Sequence, residues 1–346
     1  MIQAAHSKRA NDERANDKRA YPFGGTIVMR AIAVSEYGAT PALMNLPRPE
    51  PGPGEILVKM IAAGLNPFDW KLADGMVKDS VDATFPLILG VDGAGVVEQV
   101  GEGVTRLRVG EQIYGTFAGT ERGLGAFAEY ALAREDGPVA LMPEGMIYTQ
   151  AAAVPTASAA ALKMVDAARV DAGQTVLVVG ATGGVGQGLV QLASLAGAKV
   201  IATARADMAG TMRRLGADET VDHSRGDDAD GLNAQVLAVH KDGIDAVLDV
   251  VSDAPATEDI AQLLRPGGTY VSSVWAVNPD SMEAKGLRGV NVSGGLTSGT
   301  LDRLSDLIDA SDLRVQVERE VPLEDAPDAM AANRAGGARG KTVIRI

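Results

Sequence analysis

The sequence predicts an α/β fold in which a doubly wound parallel sheet is joined to a second, mainly-β domain. Two patterns along the 346-residue chain carry this prediction. From about residue 29 to 150, short apolar runs are separated by proline and glycine, which is typical of antiparallel strands and tight turns. From about residue 150, apolar runs alternate with segments of helical spacing, which is typical of parallel strands joined by helices.

The composition is that of a globular protein and argues against several partners. Hydrophobic residues make up 46% and charged residues 22% of the chain, the usual proportions for a domain with a sizeable core. A formal net charge of −13 argues against nucleic acid and anionic membranes, because both attract basic surfaces. No run approaches the roughly 18 apolar residues of a membrane span. Cysteine is absent, which excludes disulfides and thiolate metal ligands and favours a cytoplasmic location.

Residues 1–28 differ in composition from the rest of the chain. The stretch HSKRANDERANDKRA at 6–20 is polar, carries both charges and contains an imperfect repeat of RAND. It has neither the apolar core of a signal peptide nor the regular apolar spacing of a helix. We expect a disordered extension here, with the folded protein beginning near Met29.

Five apolar runs in the first half are predicted to be strands. They lie at residues 29–38, 55–66, 93–104, 111–117 and 126–133. Proline and glycine interrupt them, as in PRPEPGPG at 47–54. This spacing predicts a small antiparallel, barrel-like domain.

A glycine-rich turn, TVLVVGATGGVG at 175–186, begins the alternating half. Its first five residues read as a strand buried on both faces, 187–196 has helical apolar spacing, and 199–204 is a second apolar run. In such a unit the glycines let a phosphate approach the backbone, and the helix N-terminus supplies free N–H groups. The motif predicts a dinucleotide site, with a purely structural turn as the alternative. The predicted contacts are Gly180, Ala181, Thr182, Gly183, Gly184, Val185 and Gly186.

The end of the second strand of this unit distinguishes the two nicotinamide dinucleotides. Sites for NAD carry Asp or Glu about 20 residues beyond the glycines, where it binds the ribose 2′-OH. Here Thr203 and Ala204 are neutral and Arg205 is basic, which favours the 2′-phosphate of NADPH. Two alternatives stay open: Arg205 is a solvated loop residue, or Asp207 is the acid of an NAD site.

Four further runs, at 219–223, 243–251, 267–274 and 289–294, are predicted to be strands. With the two already described they make six, the number in a complete doubly wound dinucleotide-binding sheet. After residue 300 come a helical stretch, LDRLSDLIDASDL, and a last strand, KTVIRI. We expect this tail to return to the first domain.

Several blocks of the chain together resemble one known family. They are GLNPFDWKLADG at 64–75, PLILGVDGAGVVEQVGEGVTRLRVGEQIYG at 86–115, GAFAEYALA at 125–133, AAAVPTA at 151–157 and RGKTVIRI at 339–346. With the glycine turn, they resemble the zinc-independent members of the medium-chain dehydrogenase/reductase superfamily, in the quinone oxidoreductase and enone reductase branch. The resemblance implies a GroES-like catalytic domain at 29–150 and 301–346, a Rossmann domain at 151–300, and a cofactor cleft between them.

Zinc-dependent relatives in this superfamily bind their metal through Cys, His and a carboxylate or a second Cys. Where they carry the Cys this chain reads Asn66-Pro67-Phe68-Asp69, and their Gly-His-Glu is Gly90-Val91-Asp92 here. The resemblance therefore implies an enzyme without catalytic zinc. Such an enzyme needs an acceptor that is already electrophilic, because no metal polarises it.

Asn66 and Lys71 are the predicted catalytic residues. The run Asn66-Pro67-Phe68-Asp69-Trp70-Lys71 resembles the NPxDxK pattern of enone and alkenal reductases, where this lysine lies near the ribose and the substrate carbonyl. The resemblance implies that both side chains donate hydrogen bonds to the substrate oxygen as charge develops there. The alternatives are a surface Lys71 packed over Trp70 and an Asx turn at Asn66. Asp69 is expected to order the helix start.

The resemblance also implies further contacts to the cofactor. They are Thr156, Val251, Ser252, Ser273, Val274, Arg339 and Lys341. For Arg339 and Lys341 a charged surface turn is the alternative. Because relatives pair their Rossmann sheets edge to edge, a homodimer is expected.

The function implied by these observations is that of a cytoplasmic, NADPH-dependent, zinc-independent reductase. Its hydride acceptor is the C=C bond of an α,β-unsaturated carbonyl, or a quinone, and no nucleic acid or membrane is expected as a partner. The alternatives are a non-catalytic NADPH-binding protein, acting as a redox sensor or a structural protein, and a zinc alcohol dehydrogenase. The missing zinc ligands argue against the last.

Overall fold

The computed structural model describes residues 27–222, 231–293 and 295–346. The extension predicted at residues 1–28 therefore lies, up to residue 26, outside the described residues. The strands are β1 (Val28–Val34), β2 (Ala42–Pro47), β3 (Glu55–Gly64), β4 (Leu87–Ile88), β5 (Asp92–Val100), β6 (Gln112–Thr116), β7 (Tyr130–Arg134), β8 (Val139–Leu141), β9 (Thr175–Val179), β10 (Lys199–Thr203), β11 (Glu219–Val221), β12 (Ile244–Asp249), β13 (Leu264–Ser272), β14 (Arg288–Asn291), β15 (Val317–Pro322) and β16 (Lys341–Arg345). The helices are α1 (Pro67–Ala73), α2 (Tyr148–Ala152), α3 (Pro155–Ala168), α4 (Gly184–Leu195), α5 (Ala206–Arg214), α6 (Leu232–Val239), α7 (Ala254–Ile260), α8 (Pro279–Ala284), α9 (Ser298–Asp309) and α10 (Ala326–Arg334).

A parallel sheet of six strands forms one half of the protein, in the order β11-β10-β9-β12-β13-β14. Every neighbouring pair in it is parallel. The central strand β9 is buried on both faces: Val176 and Val178 pack into one apolar cluster and Leu177 into another. The predicted doubly wound sheet of six strands is confirmed.

The other half is built on a seven-stranded sheet, β15-β16-β3-β5-β6-β8, with β7 also paired to β3. A three-stranded antiparallel sheet, β2-β1-β4, lies beside it. The last strand, β16, pairs antiparallel with the end of β3, with Val343 opposite Gly64. The C-terminal residues therefore lie next to the start of α1, which follows β3 in sequence.

The structure differs from the sequence prediction mainly at sheet edges. The apolar pattern does not predict β2 or β15, whose side chains are mostly exposed. Edge strands face water along much of their length, so they need no continuous apolar run. The strand predicted at 93–104 ends at Val100, because the chain turns at Gly101, where a Cβ would lie 1.9 Å from the carbonyl oxygen of Gly52.

The two halves pack directly against each other. Tyr114 on β6 is fully buried, and its hydroxyl donates to the carbonyl oxygen of Leu301 on α9 at 2.9 Å and lies 2.9 Å from the Ser305 hydroxyl. The helix α3 connects the halves and packs along α4, the helix that follows the glycine turn. This packing leaves an open cleft on one side.

Candidate active site

A cleft of about 1660 Å³ lies between the two halves. It brings together most of the residues predicted for the site. Those that line it are Asn66, Lys71, Thr156, Gly180, Thr182, Gly183, Gly184, Val185, Val251, Ser252, Ser273, Val274 and Lys341. Ala181, Gly186, Arg205 and Arg339 lie outside its lining.

The glycine turn connects β9 to α4 at the floor of the cleft. Gly180 has φ +80°, the left-handed region that favours glycine. A Cβ on Gly186 would lie 2.2 Å from the Gly180 carbonyl oxygen, so only glycine allows the helix to pack this close to the turn. A Cβ on Gly183 would meet nothing closer than 3.7 Å. The open space at Gly183, beside the unpaired N–H groups of the first turn of α4, fits a pyrophosphate.

The end of β10 carries no carboxylate. The Thr203 hydroxyl accepts hydrogen bonds from the backbone N–H groups of Gly180 (3.0 Å) and Ala181 (3.4 Å), so this side chain holds the glycine turn. Arg205 is exposed at the N-terminus of α5. Asp207, the alternative acid, is paired with Arg339 from the other half at 2.7 Å.

A buried carboxylate shapes the loop after β12. Asp249 accepts hydrogen bonds from the backbone N–H groups of Val251 (2.9 Å) and Ser252 (3.0 Å), and from the Tyr270 hydroxyl at 2.5 Å. Burial and the neighbouring Asp249 raise the pKa of Tyr270 above its ordinary value, so the phenol stays a donor. These bonds hold Val251 and Ser252 at the cleft.

The short helix α1 carries the predicted catalytic lysine. Asn66 is its N-cap residue and Pro67 occupies the first turn. Asp69 Oδ2 accepts the backbone N–H of Asn66 at 2.7 Å, so the predicted ordering role of Asp69 is confirmed. Lys71 is half-buried and lines the cleft, with its Nζ 5.6 Å from the ring centre of Trp70. Lys71 therefore borders the cleft, as a catalytic lysine would, and also lies beside Trp70, as a surface lysine packed on that ring would.

The Asn66 side chain is held by partners on both sides. Its Nδ2 donates to Asp92 Oδ2 at 2.9 Å and to the Gly64 carbonyl oxygen at 3.3 Å. Its Oδ1 accepts from Lys341 Nζ at 2.6 Å, and Lys341 also donates to the Leu65 carbonyl oxygen at 2.8 Å. Both amide hydrogens of Asn66 thus already have acceptors within the protein.

Asp92 connects this group to helix α3. Its Oδ2 accepts the backbone N–H of Thr156 at 3.0 Å, and its Oδ1 accepts the Thr156 hydroxyl at 2.6 Å. Sequence reasoning did not assign Asp92. The signal was a single acid within the apolar run PLILGVDGAGVV at 86–97, since a charged residue within a buried strand needs partners.

Three ionisable groups are buried together here. Burial raises the pKa of Asp69 to about 8 and also raises that of Asp92, while it lowers the pKa of Lys341 against the attraction of the two carboxylates. Asp92 receives three hydrogen bonds from Asn66 and Thr156. These hydrogen bonds stabilise the Asp92 carboxylate and oppose the effect of burial, which is the largest influence on the pKa of Asp69.

Comparisons with known proteins agree with this architecture. The family model of the alcohol dehydrogenase GroES-like domain matches residues 52–144, and that of zinc-binding dehydrogenases matches residues 215–344. The 2-methylene-furan-3-one reductase of Solanum lycopersicum is 30% identical over 329 residues, which cover 91% of this chain and 79% of that protein. The chain belongs to the quinone oxidoreductase branch of the medium-chain dehydrogenase/reductase superfamily.

Two further proteins are similar to this medium-chain oxidoreductase over most of its length. The NADPH-dependent alkenal/one oxidoreductase of Arabidopsis thaliana is also 30% identical, over 91% of this chain and 79% of that protein. The solved structure of the quinone oxidoreductase from Coxiella burnetii superposes with a TM-score of 0.81 at 28% identity, covering 92% of this chain and 100% of that one. The predicted family and fold are confirmed, and the protein is an oxidoreductase with a nicotinamide cofactor and a small-molecule substrate.

The described part of this medium-chain oxidoreductase contains neither a cluster of metal-ligating side chains nor a membrane-spanning helix. Across residues 27–222, 231–293 and 295–346, no group of three or more His, Cys, Asp or Glu side chains is arranged to hold a metal ion. Within the same ranges, no helix has the length and apolar character to cross a membrane.

Proposed function

We propose that this oxidoreductase is an NADPH-dependent, zinc-independent reductase of α,β-unsaturated carbonyls or quinones. The observation that carries the proposal is the cleft itself, in which Lys71 on α1 and the glycines Gly180, Gly183 and Gly184 line one continuous space. The enone, rather than the quinone, is favoured by Lys71, which occupies the lysine position of the NPxDxK pattern. The names of the tomato and Arabidopsis relatives support the same acceptor class.

The chemistry divides between the cofactor and the protein. A bound nicotinamide cofactor supplies the hydride. Reduction of an enone develops negative charge on the carbonyl oxygen, and the Lys71 ammonium stabilises that charge by donating a hydrogen bond. We assign the same ammonium the role of the general acid that delivers a proton to the enolate oxygen. Apolar side chains in the cleft wall, among them Phe68, Val91 and Val251, displace water from the acceptor.

The residues at and just after the end of β10 favour NADPH over NADH. Thr203 is committed to the glycine turn, and Asp207 is paired with Arg339. Neither is therefore available as the acceptor that a ribose 2′-OH requires. Arg205 is exposed and adjacent, which suits a 2′-phosphate.

Zinc independence rests on the side chains at the ligand positions. Asn66 stands where zinc-dependent relatives carry Cys, and its amide is hydrogen-bonded to Asp92 and Lys341. Val91 stands at the histidine position and offers no ligand atom. A quinone or an enone is electrophilic without a Lewis acid, so the proposed reaction needs no metal.

The experiment that tests this function is NADPH oxidation in the presence of a chelator. The acceptors are linear enones, cyclic enones and quinones, with products identified by mass spectrometry. Saturated ketones from enones support the proposal, and turnover with quinones alone restricts it to quinone reduction. Saturable NADPH binding without turnover of any acceptor overturns it in favour of a sensor. Loss of turnover on chelation contradicts zinc independence.

We also propose how the functional protein is organised. The pairing of β16 with β3 supports a catalytic domain formed by residues 29–150 and 301–346, with residues 151–300 as the Rossmann domain. The absence of cysteine suits a cytoplasmic enzyme. The open edge of the parallel sheet at β14 suits a homodimer.

A further inference from the structure

Four side chains form a largely buried network at the cleft wall, named here the buried tie: Lys341, Asn66, Asp92 and Thr156. Lys341 is 5% exposed, Asn66 3% and Asp92 0%. They come from β16, the N-cap of α1, β5 and the first turn of α3. Burying an ammonium and a carboxylate is costly unless hydrogen bonds replace the lost water. The tie supplies those bonds and links four separate segments.

The two charges of the tie determine the orientation of the Asn66 amide. Its oxygen faces the Lys341 ammonium, and its nitrogen faces the Asp92 carboxylate. The flipped amide would direct N–H groups at a cation and an oxygen at an anion, so a single orientation is stable. Asn66 therefore has no amide hydrogen left for a substrate, and Lys71 remains as the polar donor that α1 offers to the cleft.

Lys341 also contacts the helix of the glycine turn. A Cβ on Gly184 would lie 2.6 Å from Lys341 Cδ and 3.0 Å from its Cγ, so the lysine stem lies directly on the first residue of α4. One side chain thus touches the helix start that binds the cofactor and the N-cap of the helix that carries Lys71. The rate of reduction depends steeply on where Lys71 lies relative to the bound cofactor and acceptor, and these two helices hold Lys71 and the cofactor site.

We propose that Lys341 is a positioning residue for the reduction. By fixing Asn66 between two charges, it holds α1, and with it Lys71, at a set distance from α4. Its Nζ donates to Leu65 and Asn66, so the role acts through these residues and not through a bond to the cofactor phosphates. The inference rests on the proposed reductase function.

The first variant is Lys341→Met, which keeps an unbranched stem over Gly184 and removes the charge. The measurements are the NADPH dissociation constant from nucleotide fluorescence, and the single-turnover rate of enone reduction at saturating NADPH. We expect the rate to fall by about tenfold or more, because misplaced groups react more slowly. We expect the dissociation constant to change by less than about threefold, since no phosphate contact is lost. Lys59→Met, at an exposed lysine on β3, is the matched control.

The second variant separates positioning from stability. Lys341→Met alone leaves Asp92 buried without its cation, and the Tm is expected to fall by about 5–10 °C. Adding Asp92→Asn removes the second charge and keeps its bonds, because the Thr156 hydroxyl can reverse and accept from the new amide. The double variant should regain most of the lost Tm and remain slow, since the bonds from Lys341 to Asn66 and Leu65 are still missing.

Four results overturn the inference. A dissociation constant raised about tenfold or more, with an unchanged rate at saturation, makes Lys341 a cofactor ligand. A rate that recovers together with the Tm in the double variant makes the lysine merely structural. An unchanged rate in Lys341→Met, with an active wild-type enzyme, also removes the positioning role. A wild-type protein that reduces no acceptor overturns the proposed function itself, and the inference with it.

Discussion

The Lys71 side chain lies between an aromatic ring and the cleft. Its ammonium lies 5.6 Å from the ring centre of Trp70, and the side chain also borders the cleft. The cation–π contact holds the lysine in place without consuming its N–H donors. Those donors therefore remain available to a carbonyl oxygen in the cleft, which is what the proposed mechanism requires.

Replacing this lysine should separate catalysis from binding. Lys71→Ala is expected to lower kcat for enone reduction by at least about tenfold, because stabilisation of the developing enolate is lost. The NADPH dissociation constant should stay near the wild-type value. Both are measured by steady-state kinetics and nucleotide fluorescence, with Lys78→Ala as a control at an exposed lysine outside the cleft lining. An unchanged kcat contradicts the role assigned to Lys71.

Arg205 provides the test of cofactor preference. Arg205→Ala should raise the KM for NADPH by about ten- to a hundredfold, the value of a charge-assisted hydrogen bond, and leave the KM for NADH nearly unchanged. Arg213→Ala, on the same helix and hydrogen-bonded to Thr220, is the control. An equal loss with both cofactors would show that Arg205 only stabilises the start of α5.

Asp69 should make stability depend on pH. Its pKa is about 8 in the folded protein because of burial, against about 3.9 in an unfolded chain. Between these values the folded state keeps a proton that the unfolded state has lost, so stability from this group is present at low pH and is lost as pH rises towards 8. From about pH 5.5 to pH 8 the loss approaches about 3 kcal/mol.

The amide variant removes this titration. Asp69→Asn keeps an oxygen that can accept the Asn66 N–H, and has no proton to lose. The unfolding free energy of Asp69→Asn minus that of the wild type should be about 2–3 kcal/mol more positive at pH 8 than at about pH 5.5. Urea denaturation at both pH values measures this, with Asp79→Asn as an exposed control. Parallel pH profiles for wild type and Asp69→Asn would mean that the folded protein holds Asp69 ionised.

Two residues of the glycine turn, Gly186 and Gly183, have different surroundings. Gly186→Ala would place a Cβ 2.2 Å from the Gly180 carbonyl oxygen, so it should cost about 1–3 kcal/mol of unfolding free energy and weaken NADPH binding. Gly183 has φ −77° and an open surrounding. Gly183→Ala should therefore change stability by less than about 0.5 kcal/mol.

The same Gly183→Ala change should still weaken NADPH binding by about tenfold or more, because its methyl group occupies the space meant for phosphate. Denaturant titration and nucleotide fluorescence on the two variants supply the comparison. If Gly183→Ala binds NADPH as the wild type does, the pyrophosphate does not lie over this turn.

Elements with strong local patterns are the ones that the sequence predicts well. The sequence predicts a strand at 175–179, and β9 occupies Thr175–Val179. The prediction succeeds because a strand buried on both faces needs an unbroken apolar run. β15, with the sequence VEREVP, carries no such pattern because it lies at an edge and is mostly exposed. Its place is determined by pairing with β16, which is tertiary information.

The candidate site shows the same division. The glycine turn and Lys71 lie within local motifs, so the sequence alone predicts both as parts of the site, and both line the cleft. The contact between Lys341 and Asn66 joins residues 275 positions apart, and it depends on the register of β16 against β3. No local spacing encodes that register. The sequence alternatives for Lys341, a cofactor contact or a surface turn, therefore did not include its position inside a buried network.

Among the described residues, the parallel sheet ends at β14, which has a strand partner on one side only. That partner is β13, on the inner side. Beside the end of β14, the segment that follows β13 is fastened by Asn291 to Val277, and it presents Trp275 at 66% exposure and Val274 at 40%. We expect a second copy of the chain to pair here, because an edge strand lies next to an exposed tryptophan.

The expected assembly is a homodimer in which two six-stranded sheets join at β14. Light scattering coupled to size exclusion should report twice the chain mass of 35.7 kDa. Trp275→Asp should shift the protein towards the monomer, because dimerisation would bury an unpaired carboxylate. Val109→Asp changes a residue of similar exposure, 62%, on the half built on the seven-stranded sheet, and should leave the mass unchanged. A monomeric mass for the wild type would contradict the dimer, and equal effects of both substitutions would place the interface elsewhere.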